Sequence, residues 1–230
     1  MFAAADDALE TLPDARARAV LARAYADSRG EMRRLVWRYL PQVPRLVTGR
    51  RLRWERLQHA HDDVAIPLAP TQGMFCYLAA RAIGARRIVE FGTSFGLSTI
   101  YLALAARDNG GGQVIGTEMV PAKAERARRN LQEAGLAELV EIRVGDARET
   151  LRGLAGPVDL LLNDGFPPPM LAVLQTVAPA MRPGAVVISD NIGLFKADLA
   201  DYVRWLRDPA NGFHSSPLQM GELCELSVKR

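Results

Sequence analysis

A doubly wound α/β fold is predicted by three features of the sequence. From Thr71 onward, short apolar runs alternate with helical patterns. Most of the short runs lack polar alternation, as parallel strands buried on both faces do. The intervals between them are long enough for helical crossovers, which wind with one hand and build an open sheet. The expectation is a mostly parallel, seven-stranded sheet preceded by an N-terminal helical extension over 1–63, with the main domain spanning 64–230.

Taken in order, residues 3–40 are rich in alanine and arginine with apolar residues at helical spacing. Gly30 is expected to divide them into two helices, and Pro41 to stop the second. Pro41 and Pro44, then Pro67 and Pro70, bracket a basic segment that takes no assignment. A helix over 72–82 leads to strands at 87–91, 113–118, 140–144, 158–163 and 185–189. Helical patterns at 97–107, 122–134, 147–154 and 171–181 lie between them. Turns are expected at Asn109-Gly110-Gly111-Gly112 and at Pro183-Gly184. A helix at 198–207 and closing strands at 213–217 and 223–228 complete the sheet.

The 230 residues are 49% apolar and 24% charged, ordinary values for a globular protein. No apolar run approaches the ~18 residues of a membrane span, and the acidic start MFAAADDALE does not resemble a signal peptide. The two cysteines, Cys76 and Cys224, have neither CxxC nor metal-ligand spacing and read as buried, reduced thiols of a cytoplasmic protein. Residues 1–63 carry 12 arginines against nine acids, whereas the remainder is neutral. The densest stretch is 45–56, with Arg45, Arg50, Arg51, Arg53 and Arg56. With one aromatic residue in it, Trp54, a solvated face or subunit contact is favoured over an anionic substrate, and nucleic acid is the least favoured partner.

Ligands of such sheets bind at the carboxyl ends of the strands, where the winding reverses. The first such turn is Val89-Glu90-Phe91-Gly92-Thr93-Ser94-Phe95-Gly96-Leu97-Ser98. Gly92 allows a tight turn and close approach of a ligand, and Gly96 lets the next helix start close to the strand. A dinucleotide fingerprint would need glycine where Ser94 stands, which disfavours a nicotinamide cofactor. Glu118, ending the second strand, suits the two ribose hydroxyls. Asp146, after the third, suits an exocyclic adenine amine. Either acid alone is equally an N-cap.

Residues 70–195 resemble a class I S-adenosylmethionine-dependent methyltransferase, specifically the small cation-dependent O-methyltransferases of the caffeoyl-CoA and catechol type and their bacterial relatives. The resemblance rests on Pro70-Thr71-Gln72-Gly73, Val89–Ser98, Ile115-Gly116-Thr117-Glu118, Val144–Ala147, Leu161-Leu162-Asn163-Asp164 and Ser189-Asp190-Asn191. It implies a Rossmann-like sheet with cofactor-binding residues Glu90, Gly92, Thr93, Ser94, Gly96, Ser98, Glu118, Met119, Asp146, Ala147 and Asp164. Gly92, Gly96 and Ser98 would line the methionine end, Glu118 the ribose, and Asp146 with Ala147 the adenine. It also implies a homodimer.

Asp164, Asp190 and Asn191 end the fourth and fifth strands and form an oxygen donor set for Mg²⁺ or a similar divalent cation. In the family the matching residues bind the metal. Asp164 orienting the cofactor's amino group, and Asp190-Asn191 as a plain strand-end turn, are the alternatives. The family places a lysine base three residues after the first aspartate, where this chain has Pro167 in Pro167-Pro168-Pro169. Lys196 is the nearest lysine in sequence and the candidate catalytic base, with a solvated lysine as the alternative. His59-Ala60-His61 carries a weak metal signal. Because the segment before Pro70 covers the acceptor pocket in family members, either histidine is also a candidate base or substrate contact; His214 reads as structural. The function expected is methyl transfer to oxygen of a small aromatic or secondary-metabolite acceptor with divalent-metal help. The alternative is metal-independent N- or C-methylation of a natural product, which the missing lysine favours.

Overall fold

The computed structural model describes residues 8–230, so the first part of the helix expected over 3–40 lies outside the described residues. Helix α1 (Ala15–Tyr39) opens on Asp14, whose carboxylate accepts the Ala17 N–H at 2.9 Å. It passes straight through Gly30, contrary to the expected break. A glycine costs a helix only ~1 kcal/mol relative to alanine, and the flanking turns of alanine, arginine and leucine carry it across. Pro41 ends the α-helix as expected and begins a 3₁₀ turn (Leu40–Gln42) that leads into α2 (Val43–Val47).

Helix α3 (Pro70–Ala82) precedes the sheet, whose strands are β1 (Arg87–Phe91), β2 (Gln113–Glu118), β3 (Val140–Val144), β4 (Val158–Asn163), β5 (Met181–Ser189), β6 (Phe213–Met220) and β7 (Glu222–Lys229). Between them run α4 (Leu97–Asp108), α5 (Pro121–Ala134), α6 (Ala147–Thr150), α7 (Met170–Val177) and α8 (Ala200–Arg207). Among the described residues the sheet has the order β3-β2-β1-β4-β5-β7-β6. β1 to β5 are parallel, and β7 is antiparallel to both β5 and β6. The winding reverses between β1 and β4, so a ligand crevice opens above those two strands.

Pro183-Gly184 is not a chain-reversing turn but an irregularity inside β5. Val158 pairs with Met181 and Leu160 with Val186, so extra β5 residues loop out between the two pairs. The Arg182 guanidinium binds Asp159 at 2.6 Å beside that loop. Helix α6 stops at Thr150, short of the residue 154 expected, in the turn 151–153 that contains Gly153 at φ +65°.

Neighbouring strand residues point to opposite faces, so Ile88, Val114, Leu160 and Leu162 join one core while Val89, Ile115, Leu161 and Val187 join the other. The N-terminal segment contributes to both: Leu12, Ala17 and Leu21 pack with Tyr101 of α4, and Leu52, Leu57 and Ala60 pack beneath the opposite face. No described helix is long and apolar enough to cross a membrane.

Candidate functional site

The turn after β1 leaves no room for a side chain at its two glycines. Gly92 sits at φ +100°, and a Cβ there would lie 2.6 Å from the Asp164 carbonyl oxygen. The β1 turn and the end of β4 thus touch through backbone. Gly96, at φ +82°, faces Ala127 of α5, whose Cβ would be 3.0 Å from its own. Its small size therefore admits α5 as well as starting α4. Ser94 also has positive φ, +50°. Its N–H donates to Glu118 Oε2 at 2.8 Å, and the Val120 N–H donates to Oε1 at 2.8 Å. Backbone alone thus fixes the Glu118 carboxylate, leaving lone pairs on both oxygens for a ligand. Met119 beside it is exposed.

Below the turn, Glu90 is fully buried. Its Oε2 accepts from the hydroxyls of Thr93 (2.9 Å) and Thr99 (2.5 Å), while Oε1 and the Ser94 hydroxyl have no partner. Burial raises the Glu90 pKa, opposed by hydrogen bonds from Ser98, Thr99 and Thr93. Unpartnered buried polar atoms are rare in folded proteins. Two of them at a turn whose glycines allow close backbone approach form a cradle suited to the polar end of a cofactor. A narrow cleft there is closed by Ala65, Ile66 and Pro67, which lie across the turn from the segment before α3.

Asp146 caps α6: it accepts the Arg148 N–H at 2.9 Å and pairs with the Arg148 guanidinium at 2.6 Å, which holds its carboxyl below the usual range. Ala147 behind it is buried. The capping role and the adenine role both fit this position, but here the carboxylate already has a cationic partner.

Across the switch point, β4 and β5 bring Asp164, Asp190 and Asn191 together. Asn191, at φ +64°, donates its amide to Asp164 Oδ1 at 2.9 Å. Asp190 Oδ1 accepts from the Gln72 amide at 2.9 Å and the Cys224 thiol at 3.0 Å. Gln72 is itself pinned by the Ala69 N–H at 2.9 Å. Burial pushes the Asp164 carboxyl well above its ordinary pKa, and repulsion from Asp190 and Glu90 adds to the shift. Behind the pair, the Tyr202 hydroxyl bonds both Asn163 (3.0 Å) and Ser189 (2.6 Å), the residues preceding the two aspartates.

This donor set fits a divalent cation. Two carboxylates repelling each other in a buried place are what a cation relieves, and with the Asn191 amide oxygen they are hard ligands. Among the described residues no group of three or more His, Cys, Asp or Glu is arranged around a metal position; two carboxylates and one amide oxygen are fewer than the roughly six or more oxygens such a cation takes, so water or substrate oxygens would complete the shell.

Three loops build an aromatic wall beside these carboxylates. Trp54 of the N-terminal segment meets Phe166, after β4, edge-on at 4.7 Å, and Phe195, after β5, at 5.2 Å. Its indole N–H is held by Asp198 at 2.8 Å. His61 meets Phe166 at 5.7 Å and stacks on Tyr39 at 5.6 Å. His59 instead turns to Asp62 at 2.8 Å, so the two histidines do not form a metal pair. Lys196 is exposed and makes no hydrogen bond or ion pair among the described residues, and Pro167 is buried. His214 pairs with Val228 in the β6–β7 ladder.

Sequence reasoning did not anticipate Gln72 and Cys224 as partners of Asp190, nor the ring formed by Tyr39, Trp54, His61, Phe166 and Phe195. Gln72 lies in the Pro70–Gly73 stretch already singled out; the aromatic residues share no spacing that would group them. Lys123 was also missed. It is buried on α5 near Glu118, and burial lowers its pKa.

A family described as a methyltransferase domain matches residues 89–192. Catechol O-methyltransferase of Mycobacterium tuberculosis is 44% identical over 137 residues, 58% of this chain and 61% of that relative. The chain therefore spans less than two thirds of that relative's length. Among solved structures, cofactor-bound Rv0187 from MTB superposes with a TM-score of 0.67 at 32% identity, covering 83% of this chain and 90% of that one. An O-methyltransferase from Bacillus cereus in complex with SAH has a TM-score of 0.67 at 26% identity, covering 80% and 90%.

Proposed function

Because this chain belongs to the class I S-adenosylmethionine-dependent O-methyltransferases, we propose that it methylates an oxygen of a small aromatic or secondary-metabolite acceptor with the help of a divalent cation. The observation that carries this reading is the contact between two clusters: the Gly92 turn lies against the backbone of Asp164. A methyl donor seated on the first cluster and an acceptor held at the second would then be neighbours.

In this reading Glu90, Gly92, Thr93, Ser94, Gly96 and Ser98 hold the methionine end of the cofactor. Glu118 and Met119 hold the ribose, and Asp146 with Ala147 the adenine. Asp164, Asp190 and Asn191 hold the cation. When bound, the cofactor supplies an electrophilic methyl group and the cation acidifies a bound hydroxyl. The aromatic wall excludes water and sandwiches a flat acceptor, fixing the line of attack. Vicinal hydroxyls, as in a catechol, suit a cation that this protein leaves partly unligated, and the name of the Mycobacterium tuberculosis relative agrees. A homodimer is supported by the exposed apolar stretch Val36, Trp37, Leu40, Val43 and Val47 along α1 and α2.

Mn²⁺ titration by electron paramagnetic resonance, on protein saturated with S-adenosylhomocysteine, tests the metal. Wild type is expected to bind, and Asp190→Ala to lose binding. Absence of binding in wild type would favour the second reading, metal-free transfer to nitrogen, carbon or an isolated hydroxyl. Pro167 supports transfer to nitrogen or carbon, because a neutral amine or an electron-rich ring carbon needs less deprotonation beforehand.

A further inference from the structure

Resting on the methyl-transfer reading, we propose that His61 takes the proton from the acceptor hydroxyl and that Tyr39 is the residue that positions its ring. A hydroxyl held between the strand-end carboxylates and the aromatic wall must release a proton as it is methylated. Around that place Asp190 already accepts from Gln72 and Cys224, and Asp164 from Asn191. Proline at 167 carries no titratable group, and Lys196 is exposed. Lys123 is buried on α5 beside Glu118, whereas His61 is the nitrogen base built into the aromatic wall, its ring 5.7 Å from that of Phe166, the residue immediately before Pro167.

The geometry suits the task. Nε2 of His61 lies 2.9 Å from the Tyr39 oxygen. In the tautomer with its proton on Nε2, the ring donates to that oxygen, and Nδ1 keeps a lone pair with no hydrogen bond among the described residues. The charged groups facing the ring are Lys123 from α5, Arg38 from α1 and Asp62 on its own turn. Burial, helped by Lys123 and Arg38 and opposed by Asp62, lowers its pKa to about 4, so the imidazole is neutral at physiological pH. Burial also keeps the Tyr39 phenol protonated.

The step balances without a further reactant. As the oxygen–methyl bond forms, the sulfonium carbon–sulfur bond breaks and its electron pair stays on sulfur. The acceptor's proton moves to Nδ1. The products are a methyl ether, S-adenosylhomocysteine and an imidazolium whose Nε2–H is still received by Tyr39. Base, orienting partner and reacting hydroxyl form the arrangement that general-base catalysis requires.

The test uses the whole protein with Mg²⁺, S-adenosylhomocysteine and nitrocatechol, whose ionisation is visible in its absorbance. Nitrocatechol and S-adenosylhomocysteine should bind His61→Gln as they bind wild type, because a base acts on the reacting hydroxyl and not on ground-state binding. In turnover, His61→Gln should lower kcat by ~10²-fold or more at neutral pH, recovering as pH rises, with KM for S-adenosylmethionine unchanged. Tyr39→Phe keeps the stacking on His61 but removes the oxygen that holds Nε2, and should give a smaller loss of the same pH dependence. Loss of nitrocatechol binding in His61→Gln would overturn the proposal, by marking His61 as a substrate contact and not the base. So would a kcat loss independent of pH, or the same loss in Lys196→Met instead. Failure of nitrocatechol to bind while S-adenosylhomocysteine binds would also overturn it, by removing the acceptor from this cleft. Failure of wild type to bind S-adenosylhomocysteine would instead sink the methyl-transfer reading.

Discussion

At the scale of single residues, Asp164 shows a site working against the stability of its own fold. Its carboxyl is held above its unfolded pKa by burial and by Asp190 and Glu90. Such a group stabilises the fold only while protonated. Its contribution is complete below the ordinary carboxylate range and is lost as pH climbs through the raised value. The metal-free protein should therefore lose stability as pH rises from about 4 toward neutrality. Asp164→Asn keeps an oxygen for the Asn191 amide but cannot ionise. It should flatten that slope, though not abolish it, because the Glu90 pKa is raised too. Thermal melts across pH should show a Tm gain of about 2–4 °C at neutral pH, as ~1 kcal/mol produces in a domain of this size. Mn²⁺ binding should disappear in the same variant. A steeper slope, or a lower Tm at neutral pH, would contradict the assignment.

At the scale of elements, most strands were placed from short apolar runs, because a strand buried on both faces writes its signal in consecutive residues such as Val158–Asn163. Where position depended on distant partners the sequence was silent. β5 begins at Met181 rather than 185 because Val158 on the neighbouring strand pairs with it. The tight turn after β1 was legible, since Gly92 and Gly96 follow a strand end and both adopt positive φ. The Asp190 partners were not, because Gln72 and Cys224 converge on it from 118 and 34 residues away. Gly30 shows the limit of local punctuation. Its backbone is helical, and a Cβ there would meet nothing within 4 Å. Gly30→Ala should therefore stabilise α1 by ~1 kcal/mol, visible as a higher urea midpoint with an unchanged m-value.

At the scale of the whole molecule, the N-terminal segment ties the two faces of the sheet together and also carries Tyr39, Trp54 and His61. Its outer surface exposes large apolar side chains: Trp37 is 72% exposed and Val47 80%. If two copies meet there, Trp37→Glu should convert the dimer to a monomer by light scattering while S-adenosylhomocysteine affinity stays within about twofold of wild type. A wild type that is monomeric at every concentration would remove the dimer from the proposed function. The position of β7 has a consequence for the order of folding. β7 enters the sheet between β5 and β6, although both precede it in sequence. Until β7 has docked, residues Val186–Ser189 present a bare strand edge, open to mispairing. Asp190 lacks its Cys224 partner over the same interval. The docking of the last strand thus closes both the sheet and the carboxylate cluster, and its rate sets how long the folding chain stays exposed to misassembly.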